Sequence, residues 1–452
     1  MVSYSTTDIV NALIAKGVLT EEEGSLIAKG HDGEVTGQAK AMKKATKLKV
    51  SDAIDNAEVY GDIRVRYEHR EGTGVAGSST TTGTGVDENR ERARYKVTLG
   101  VKTEAGKWYT DLAMAMGANG RSDNATFGKS ATSNLNDKET LFVKRAMVGY
   151  KATDWLTLEA GRMTNPLYTT PMVWDADLTV EGLSEKVKFK ANDNLELFGV
   201  AGQWSYQGDR KNFGGAVSGD TLTTTLFAFQ GGANYKFTDN VSGKAGVTYI
   251  NYGNNTSTTK FSPGLSTTGS AVTNGYAVKA AGVNDLNTIE IPAEVNFMAS
   301  SNIGIRAFGD YAWNTSADDR ATNSGLGLTG SSGSDDTAWM LGVMVGSAKD
   351  LKSFEGNKMK AGDWSARLWY QDVGVWSVDP NAVDSDFMDS RVNMQGTTFK
   401  AKYNIEDNVT LDLAYGHAKR KNNTYGSAGA ASDLALNLDS FDLFQMDVTY
   451  KF

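Results

Sequence analysis

From residue 58 onward, the sequence alternates between apolar and polar side chains with a period of two. In EVYGDIRVRYEHR (58–70), Ile63 and Val65 lie on one face of an extended chain, and Arg64 and Arg66 lie on the other. This alternation is typical of β-strands that separate an apolar from a polar environment. The pattern predicts sixteen strands, at 58–70, 90–102, 107–117, 138–151, 155–163, 182–191, 194–206, 222–237, 240–252, 287–298, 301–315, 335–348, 362–373, 389–404, 407–419 and 437–452.

The connections between these predicted strands alternate in length. Long stretches rich in Gly, Ser, Thr and Asn, such as 71–89, follow the odd-numbered strands, and short turns such as TEAG (103–106) follow the even-numbered ones, with an exception at 349–361. A soluble sandwich has no reason to collect its long loops at one end, whereas a membrane barrel has short periplasmic turns and long external loops. We therefore predict an all-β fold, a transmembrane antiparallel up-and-down β-barrel of 16 strands, over 58–452.

Composition excludes several other classes of protein. The chain has no cysteine and three histidines, so disulfides and thiolate metal sites are not available. We find no apolar run of about 18 residues, which excludes a transmembrane helix. The formal net charge of −8 argues against binding to nucleic acid. The N-terminus lacks the basic and apolar regions of a secretory signal, so we expect any export signal to have been removed.

Residues 1–57 differ from the rest of the chain. Ile9, Leu13 and Val18 recur near helical spacing, and Thr20 followed by Glu23 is typical of a capping box that begins a second helix. We predict a short α-helical N-terminal segment over these residues. A flexible linker remains the alternative.

The chain resembles the Gram-negative outer-membrane porins of the sixteen-stranded kind. Its last segment, SFDLFQMDVTYKF, alternates and ends in Phe452, which resembles the signal for insertion of outer-membrane barrels. KGVLTEEE (16–23) and GRMTNPLYTTPMVWDAD (161–177) resemble segments of the "putative porin" group. The resemblance implies a homotrimer in outer-membrane lipid and lipopolysaccharide, a periplasmic N-terminal segment, and passive transport of small hydrophilic solutes.

Charge predicts which face of each strand lies inside the barrel. A Lys or Arg at the lipid midplane would cost about 2–4 kcal/mol, so the charged face must line the lumen. The alternative to a free basic surface is pairing with lumen acids such as Asp62 and Glu68. The side chains predicted to form a basic wall of the pore are Arg64, Arg66, Arg92, Arg94, Lys96 and Arg145.

The connection between the fifth and sixth predicted strands, about 164–181, contains two of the five prolines, Pro166 and Pro171. In sixteen-stranded porins this third long loop folds into the barrel and narrows it, and the resemblance implies the same here. We predict that its carboxylates face the basic wall and create a transverse field across the aperture. The predicted constriction residues are Tyr168, Trp174, Asp175, Asp177 and Glu181.

Two other chemistries are open to these carboxylates. Paired acids can serve general acid–base catalysis, but no nucleophile–base motif or histidine lies near them, so we predict no enzyme. The oxygens of Asp175 and Asp177 could bind a structural Ca²⁺, although the run lacks the spacing and turn glycine of an EF-hand. We therefore predict no cofactor, with calcium as a minor alternative.

The leading functional prediction is a porin, a water-filled channel for passive diffusion of small hydrophilic solutes or ions. One alternative is a structural or adhesive barrel that displays external loops or anchors the envelope through residues 1–57. Another is a barrel that encloses an electron-transfer partner. The sequence leaves the solute and the preferred sign of ion open.

Overall fold

The computed structural model of the chain describes residues 11, 13–16, 18, 53–74, 87–117, 122–128, 138–207, 224–253, 285–323, 335–347, 360–384, 386–423 and 438–452. The chain divides into two compact units. One comprises Met1–Glu58 with Thr103–Gly106, and the other comprises Val59–Lys102 with Lys107–Phe452. In the first unit, Asn11 and residues 13–15 are helical. Most of the predicted helical segment 1–57 lies outside the described residues.

The described chain forms sixteen antiparallel strands, each overlapping one of the sixteen predicted from the sequence, and a further two-residue strand, Ala125–Thr126, that pairs with the second of them. In chain order they are β1 (Asn56–Gly74), β2 (Glu88–Ala105), β3 (Trp108–Gly117), β4 (Thr140–Lys151), β5 (Leu156–Thr164), β6 (Thr179–Lys190), β7 (Leu195–Gln207), β8 (Thr224–Lys236), β9 (Val241–Tyr252), β10 (Asn287–Glu290 and Ala293–Met298), β11 (Gly304–Asn314), β12 (Thr337–Gly346), β13 (Trp364–Val373), β14 (Met394–Glu406), β15 (Val409–Arg420) and β16 (Leu438–Lys451). A short helix, α1 (Ala317–Asn323), follows β11, and a 3₁₀ turn (Met388–Ser390) precedes β14.

The sheet closes on itself because β1 pairs with both β2 and β16. The register between the first and last strands runs from Asp62 opposite Lys451 to Gly74 opposite Leu438. The predicted sixteen-stranded closed barrel is therefore confirmed. Among the described residues, no helix has the length and apolar character needed to cross a membrane.

Proline interrupts one strand. The two halves of β10 flank Ile291 and Pro292, and both halves pair with β9 and β11. Proline has no backbone N–H to donate to a neighbouring strand, which breaks the regular ladder. The Gly246 N–H still donates to the Pro292 carbonyl at 3.0 Å, so the sheet stays continuous across the break.

The outer face of the barrel is apolar, as the predicted orientation requires. Leu341, at the middle of β12, is 64% exposed. Exposed aromatic rings also lie close to the short turns, as expected for an interfacial girdle. These residues are Tyr235, Phe237, Tyr403, Tyr450 and Phe452.

A β-bulge in β4 changes the expected alternation. The pairing with β3 shifts between Ala113 opposite Arg145 and Met114 opposite Val143, which leaves Lys144 without an opposite residue. Such a bulge redirects a side chain that regular alternation would send to the other face. Lys144 and Arg145 are consequently both half-buried and both pair with acids, Asp123 and Asp111 respectively.

The interior is less polar than a simple water-filled barrel would require. On β8 to β12, the inward-facing residues near the long loops form one buried apolar cluster with two inward-folded segments. Apolar wall positions are favoured there because protein, not water, covers them. The residues that β8, β9, β11 and β12 contribute to this cluster are Leu226, Ala228, Ile250, Tyr252, Ala312, Ala338 and Met340, and other strands contribute further side chains such as Trp204 and Phe441.

The assigned faces predict the effect of a buried charge. Leu341→Lys places a cation among lipid tails and should lower the free energy of unfolding by about 2–4 kcal/mol. Ser365→Lys is the matched control, because Ser365 lines an internal cavity, and its effect should be much smaller. Equilibrium urea unfolding in phospholipid vesicles measures both. Equal losses for the two variants would contradict the assignment of faces.

Candidate functional site

The connection between β5 and β6, residues 165–178, lies against the inner wall of the barrel. The Tyr168 N–H donates to Gln230 Oε1 of β8 at 2.8 Å, and Gln230 Nε2 donates back to the Tyr168 carbonyl at 2.7 Å. Gln230 Nε2 also donates to Thr248 Oγ1 of β9 at 2.6 Å. These bonds fix the backbone of the connection to two neighbouring strands, as buried polar groups require.

Three further side chains of the same connection reach acids on the next two strands. The Tyr168 hydroxyl donates to Glu294 of β10 at 3.3 Å. Thr169 donates to Glu290 of β10, and Thr170 donates to Asp310 of β11. Because Glu290 and Asp310 are buried, these hydroxyls supply partners that water cannot. The connection is thus held across the inner faces of β8 to β11.

Four large apolar side chains of this connection are buried. Leu167, Met172, Val173 and Trp174 all belong to the apolar cluster. The Trp174 indole N–H lies 3.5 Å from the Leu178 carbonyl. Burial of these side chains, together with the φ restriction of the two prolines, explains why the segment holds one shape in a wide barrel. We refer to residues 165–178 as the first inward segment.

A second inward segment, residues 374–393 between β13 and β14, meets the first. The Asp175 N–H donates to the Ala382 carbonyl at 2.6 Å, and the Asp384 N–H donates to the Pro171 carbonyl at 3.1 Å. Its apolar residues, including Trp376, are buried in the same cluster. We did not predict from the sequence that this long connection folds inward.

The sequence of the second segment does contain features that indicate inward folding. GVWSVDPNAVDSDFMDSRVN combines a proline, two large aromatic residues and four aspartates, which is the composition that singled out the first segment. The other long connections are rich in Gly, Ser, Thr and Asn, so a connection with proline and large apolar residues is the exception. That contrast would have identified the second segment.

The second segment supplies the acids that face the basic wall. Arg66 Nη1 lies 3.0 Å from both carboxylate oxygens of Asp386, and its Nε lies 2.7 Å from Asp447 of β16. Arg70 Nη1 pairs with Asp389 at 2.8 Å. Four charged groups close to Asp386 outweigh the effect of its burial: Arg66, Lys400, Arg70 and Arg64 hold the pKa of Asp386 well below its usual range.

Each of the other basic residues predicted for the wall lies close to an acidic side chain. Glu68 accepts from Arg92 Nε at 2.5 Å and lies 3.9 Å from Arg94 Nη1. Lys96 lies 3.7 Å from Asp62. Arg145 pairs with Asp111 at 2.9 Å and also donates to the Tyr60 hydroxyl at 2.5 Å. Arg64 lies 3.5 Å from Asp447. Pairing with lumen acids, the alternative to a free basic surface, is therefore extensive.

Of the predicted acids, Asp177 is the one that lies beside the basic wall. Its Oδ1 is 3.8 Å from Nζ of Lys144, the bulge residue. Desolvation acts to raise the pKa of Asp177, but the positive charges of Lys96, Lys144 and Arg64 outweigh it and lower that pKa below its ordinary value. Asp177 therefore carries negative charge beside a basic surface, and this surface includes Lys144, which was not among the residues we singled out.

Asp175 has a different environment. Its side chain is buried, and burial together with the nearby carboxylates Asp384 and Asp177 raises the pKa of Asp175 to about 7. Burial, more than any neighbour, also raises the pKa of Asp384. The two carboxyl groups lie where the inward segments join, so protonation affects the junction itself.

Glu181 is not part of this arrangement. Position 181 on β6 shares its face with Leu183, which is exposed on the outside of the barrel. Glu181 pairs instead with Arg162, which lies opposite it on β5. The predicted constriction role therefore has no geometric support at Glu181, because β6 already begins at Thr179 and alternation then directs this side chain outward.

Two cavities lie beside the inward segments. One has a volume of about 700 Å³ and is lined by β1, β2 and β12 to β16. The other has a volume of about 750 Å³ and is lined by β6 to β13. Thr169, Thr170, Pro171, Met344 and Arg367 line both. The first inward segment thus stands between two polar spaces in the lumen.

The described residues contain no group of three or more His, Cys, Asp or Glu side chains placed to hold a metal ion. Of the minor calcium candidates, Asp175 accepts the Asp177 N–H at 2.9 Å through its Oδ1, and the Asp177 carboxylate lies 3.8 Å from Lys144 Nζ. What the arrangement can do is present acids and bases on opposite sides of a narrow space.

Comparisons with known proteins agree with this geometry. A family model described as "Putative porin" matches residues 73–282 and 265–452. Among solved structures, OmpF of Salmonella typhi in complex with daunomycin is 12% identical, with 89% of this chain and 99% of that chain covered and a TM-score of 0.48. Pseudomonas aeruginosa OpdQ is 12% identical, with 89% and 99% covered and a TM-score of 0.42. No curated protein matches the sequence.

The raised pKa of Asp175 predicts a stability that depends on pH. The stabilising effect of its neutral form is fully present below the ordinary value of 3.8 and is lost as the pH rises through about 7. Asp175→Asn should therefore match the native protein at about pH 4 and unfold at a higher temperature at about pH 8. Thermal unfolding in detergent, followed by tryptophan fluorescence, measures this difference.

Asp177→Asn is the matched control, because the pKa of Asp177 is lowered. Its charged form stabilises the fold above the ordinary pKa, so this variant should lose stability at about pH 8. The same sign of effect for both variants at that pH would contradict the assigned environments.

The ion pairs of Asp386 predict a second effect on stability. Asp386→Asn leaves buried Arg66 with one carboxylate fewer and should cost about 1–3 kcal/mol, less than for a fully dry pair because Asp386 is 24% exposed. Asp239→Asn removes an exposed pair with Lys236 and should leave stability unchanged. Urea unfolding compares the two, and an unchanged Asp386→Asn variant would show that Asp447 alone satisfies Arg66.

Proposed function

The chain belongs to the putative porin family, and we propose that it forms a water-filled channel for passive diffusion of small hydrophilic solutes or ions. Family and fold indicate a channel in the outer membrane and favour a channel over an enzyme. The observation that carries the proposal is the first inward segment, which is hydrogen-bonded across the inner wall between two polar cavities.

The geometry supports selection by size. The first inward segment is hydrogen-bonded to three strands, β8, β10 and β11, on one side and to the second inward segment on the other. Solutes must pass the space that these segments leave, and a fixed backbone sets its width more reliably than mobile side chains would. Tyr168 and Trp174 serve as anchors in this proposal, one by hydrogen bonds and the other by burial.

The geometry also supports selection by charge. Asp177 faces Lys144, Lys96 and Arg64, and Asp386 faces Arg66. Opposed charges of this kind orient dipolar solutes and produce a field across the path. The acids that define the field come from both inward segments, so the proposed constriction includes residues 374–393 as well as the predicted loop.

We also propose an oligomeric state for the chain and a location for its N-terminal segment. The resemblance to porins supports a homotrimer whose N-terminal segment lies in the periplasm, with outer-membrane lipid and lipopolysaccharide around the barrel. Cross-linking in outer-membrane vesicles and protease accessibility of residues 1–57 test these two points. An adhesive or anchoring barrel, the alternative, would show no steady ionic current.

Recordings in planar lipid bilayers test the channel. The purified protein should give steady single-channel steps, and replacement of residues 168–176 by a short Gly/Ser linker should raise the conductance, because the first inward segment then no longer narrows the lumen. A β-rich circular dichroism spectrum confirms that each protein tested is folded. No steady current from folded native protein would contradict the channel, and an unchanged conductance in the variant would contradict the role of the segment.

A further inference from the structure

Three charged side chains on the outer wall of the barrel break the rule that this wall is apolar. Glu185 shares its face of β6 with Leu183 and Val187, which are exposed on the outside. Glu181 lies on the same face, and Arg162 of β5 lies opposite it and pairs with it. The Arg162 and Glu181 side chains are 40% and 53% exposed. We refer to Arg162, Glu181 and Glu185 as the β5–β6 strip.

The β5–β6 strip lies at the depth of the lipid tails. Glu185 is four residues from Phe189, an exposed aromatic residue beside the short turn that follows β6. A strand rises about 3.3 Å per residue and tilts by about 40° in such barrels, so Glu185 lies about 10 Å from this aromatic level toward the long loops. The apolar band is about 25 Å tall, and a charge that faces lipid within it destabilises a barrel. The strip therefore requires a cover other than lipid.

The chain itself does not neutralise Glu185. Within the part of the chain that the structure describes, no base lies at ion-pair distance from this carboxylate, and its Oε2 atom has no hydrogen-bond partner. The residue opposite Glu185 on β7 is Ala201, whose side chain is too short to cover the carboxylate. A charged group in an apolar environment needs a partner, and for Glu185 that partner must come from another chain.

A second part of the outer wall offers a hydrogen-bond donor at the same depth. Tyr67 of β1 is exposed on the outside, and its hydroxyl has no hydrogen-bond partner among the residues that the structure describes. Tyr67 lies opposite Met446 of β16, four residues from Tyr450 of the girdle. Glu185 and Phe189 have the same spacing. A tyrosine hydroxyl in an apolar environment usually has a partner, so this donor is also incomplete in the single chain.

The same part of the wall carries acids closer to the long loops. The side chains of Glu71 on β1 and Glu91 on β2 are 53% and 66% exposed. Glu71 is four residues beyond Tyr67, which places it eight residues from the aromatic level. Arg162 is seven residues from Trp155, an exposed aromatic residue at the short turn before β5. A base on one surface thus matches the depth of acids on the other. We refer to Tyr67, Glu71 and Glu91 as the β1–β2 strip.

We infer that the β5–β6 strip of one copy of the chain docks against the β1–β2 strip of a second copy. Copies that cross the same membrane share its normal, so groups that meet between them lie at equal depths. The Tyr67 hydroxyl donates to Glu185. The Arg162 guanidinium, which has five N–H donors, binds the acids of the facing strip as well as Glu181. This inference deepens the proposed assembly and rests on it.

The two strips are different surfaces, and this determines the kind of assembly. Four strands, β2 to β5, separate β1 from β6, so each copy faces one neighbour with each strip. Contacts between unlike surfaces close into a ring, whereas a twofold dimer brings a surface against itself. A ring of this kind agrees with the proposed homotrimer.

Cysteine cross-linking tests the contact, because the native chain has no cysteine. Val65 and Val187 are exposed on the outside, each two residues closer to the short turns than Tyr67 and Glu185. Purified Val65→Cys/Val187→Cys protein in lipid vesicles should form covalent oligomers with a short bismaleimide, and each single variant should not, because the two positions lie on unlike surfaces. Val65→Cys/Leu341→Cys is the matched control: Leu341 is exposed on β12, outside both strips, and this pair should cross-link far less.

Variants within the strips distinguish a second copy from lipid as the cover. Glu185→Leu should weaken association about tenfold or more if a second copy supplies its partner, whereas on a wall that faces lipid it would stabilise the barrel and leave association unchanged. Tyr67→Phe should also weaken association, and the double variant should lose less than the sum, because both changes remove the same hydrogen bond. Glu185→Gln keeps an acceptor and should weaken association less than Glu185→Leu. Sedimentation in detergent measures association, and circular dichroism confirms folding.

The outcomes separate the inference from the proposals on which it rests. Oligomers without cross-links between positions 65 and 187, or with association that Glu185→Leu leaves unchanged, would overturn the inference and leave the proposed assembly in place. Folded protein that stays monomeric in vesicles would overturn the inference and the assembly together, while its bilayer currents still decide the channel. Cross-links in the double cysteine variant, together with weaker association of Glu185→Leu and Tyr67→Phe, would support the inference.

Discussion

Closure of the sheet between β1 and β16 is the constraint on which the rest of the structure depends. A strand edge in lipid would leave backbone N–H and C=O groups without partners, at a cost of several kcal/mol per group. Once the two edges pair, the outer surface must be apolar and the chain has only its interior and its connections left for specificity. Among the residues that the structure describes, the buried ion pairs accordingly lie inside the barrel.

The two inward segments both fill part of the barrel interior and position charged side chains in it. The two inward segments bury apolar residues such as Met172 and Trp376 against the wall, which gives them a small core of their own. Their backbones then carry acids to defined places, among them Asp177 and Asp386. The core fixes the backbone of the segments, so these acids meet their basic partners on the wall at defined positions, Asp386 at 3.0 Å from Arg66 and Asp177 at 3.8 Å from Lys144.

The fold was predictable from the sequence because lipid imposes a rule on every strand. A wrong parity would place Arg64 or Arg66 in hydrocarbon, so alternation alone identifies all sixteen strands and the orientation of most of them. The position of the first inward segment followed from counting strands. The directions of the Lys144 and Glu181 side chains were not predictable in this way. A bulge decides the direction of Lys144, and the residue at which β6 begins decides the direction of Glu181. The alternation of apolar and polar residues shows neither the bulge nor the start of the strand. The partners of Asp175 depend on a chain segment about two hundred residues away, which no local pattern encodes.

The junction between the two inward segments is made by main-chain atoms: the Asp175 N–H to the Ala382 carbonyl, and the Asp384 N–H to the Pro171 carbonyl. Main-chain bonds of this kind survive the exchange of one side chain for another. Main-chain atoms therefore determine how the two segments join, whereas side chains determine the charge of the space beside them. In the proposed channel, descendants of this chain would change solute preference by replacing individual charged residues, one mutation at a time, while the main-chain junction between the two segments stays the same.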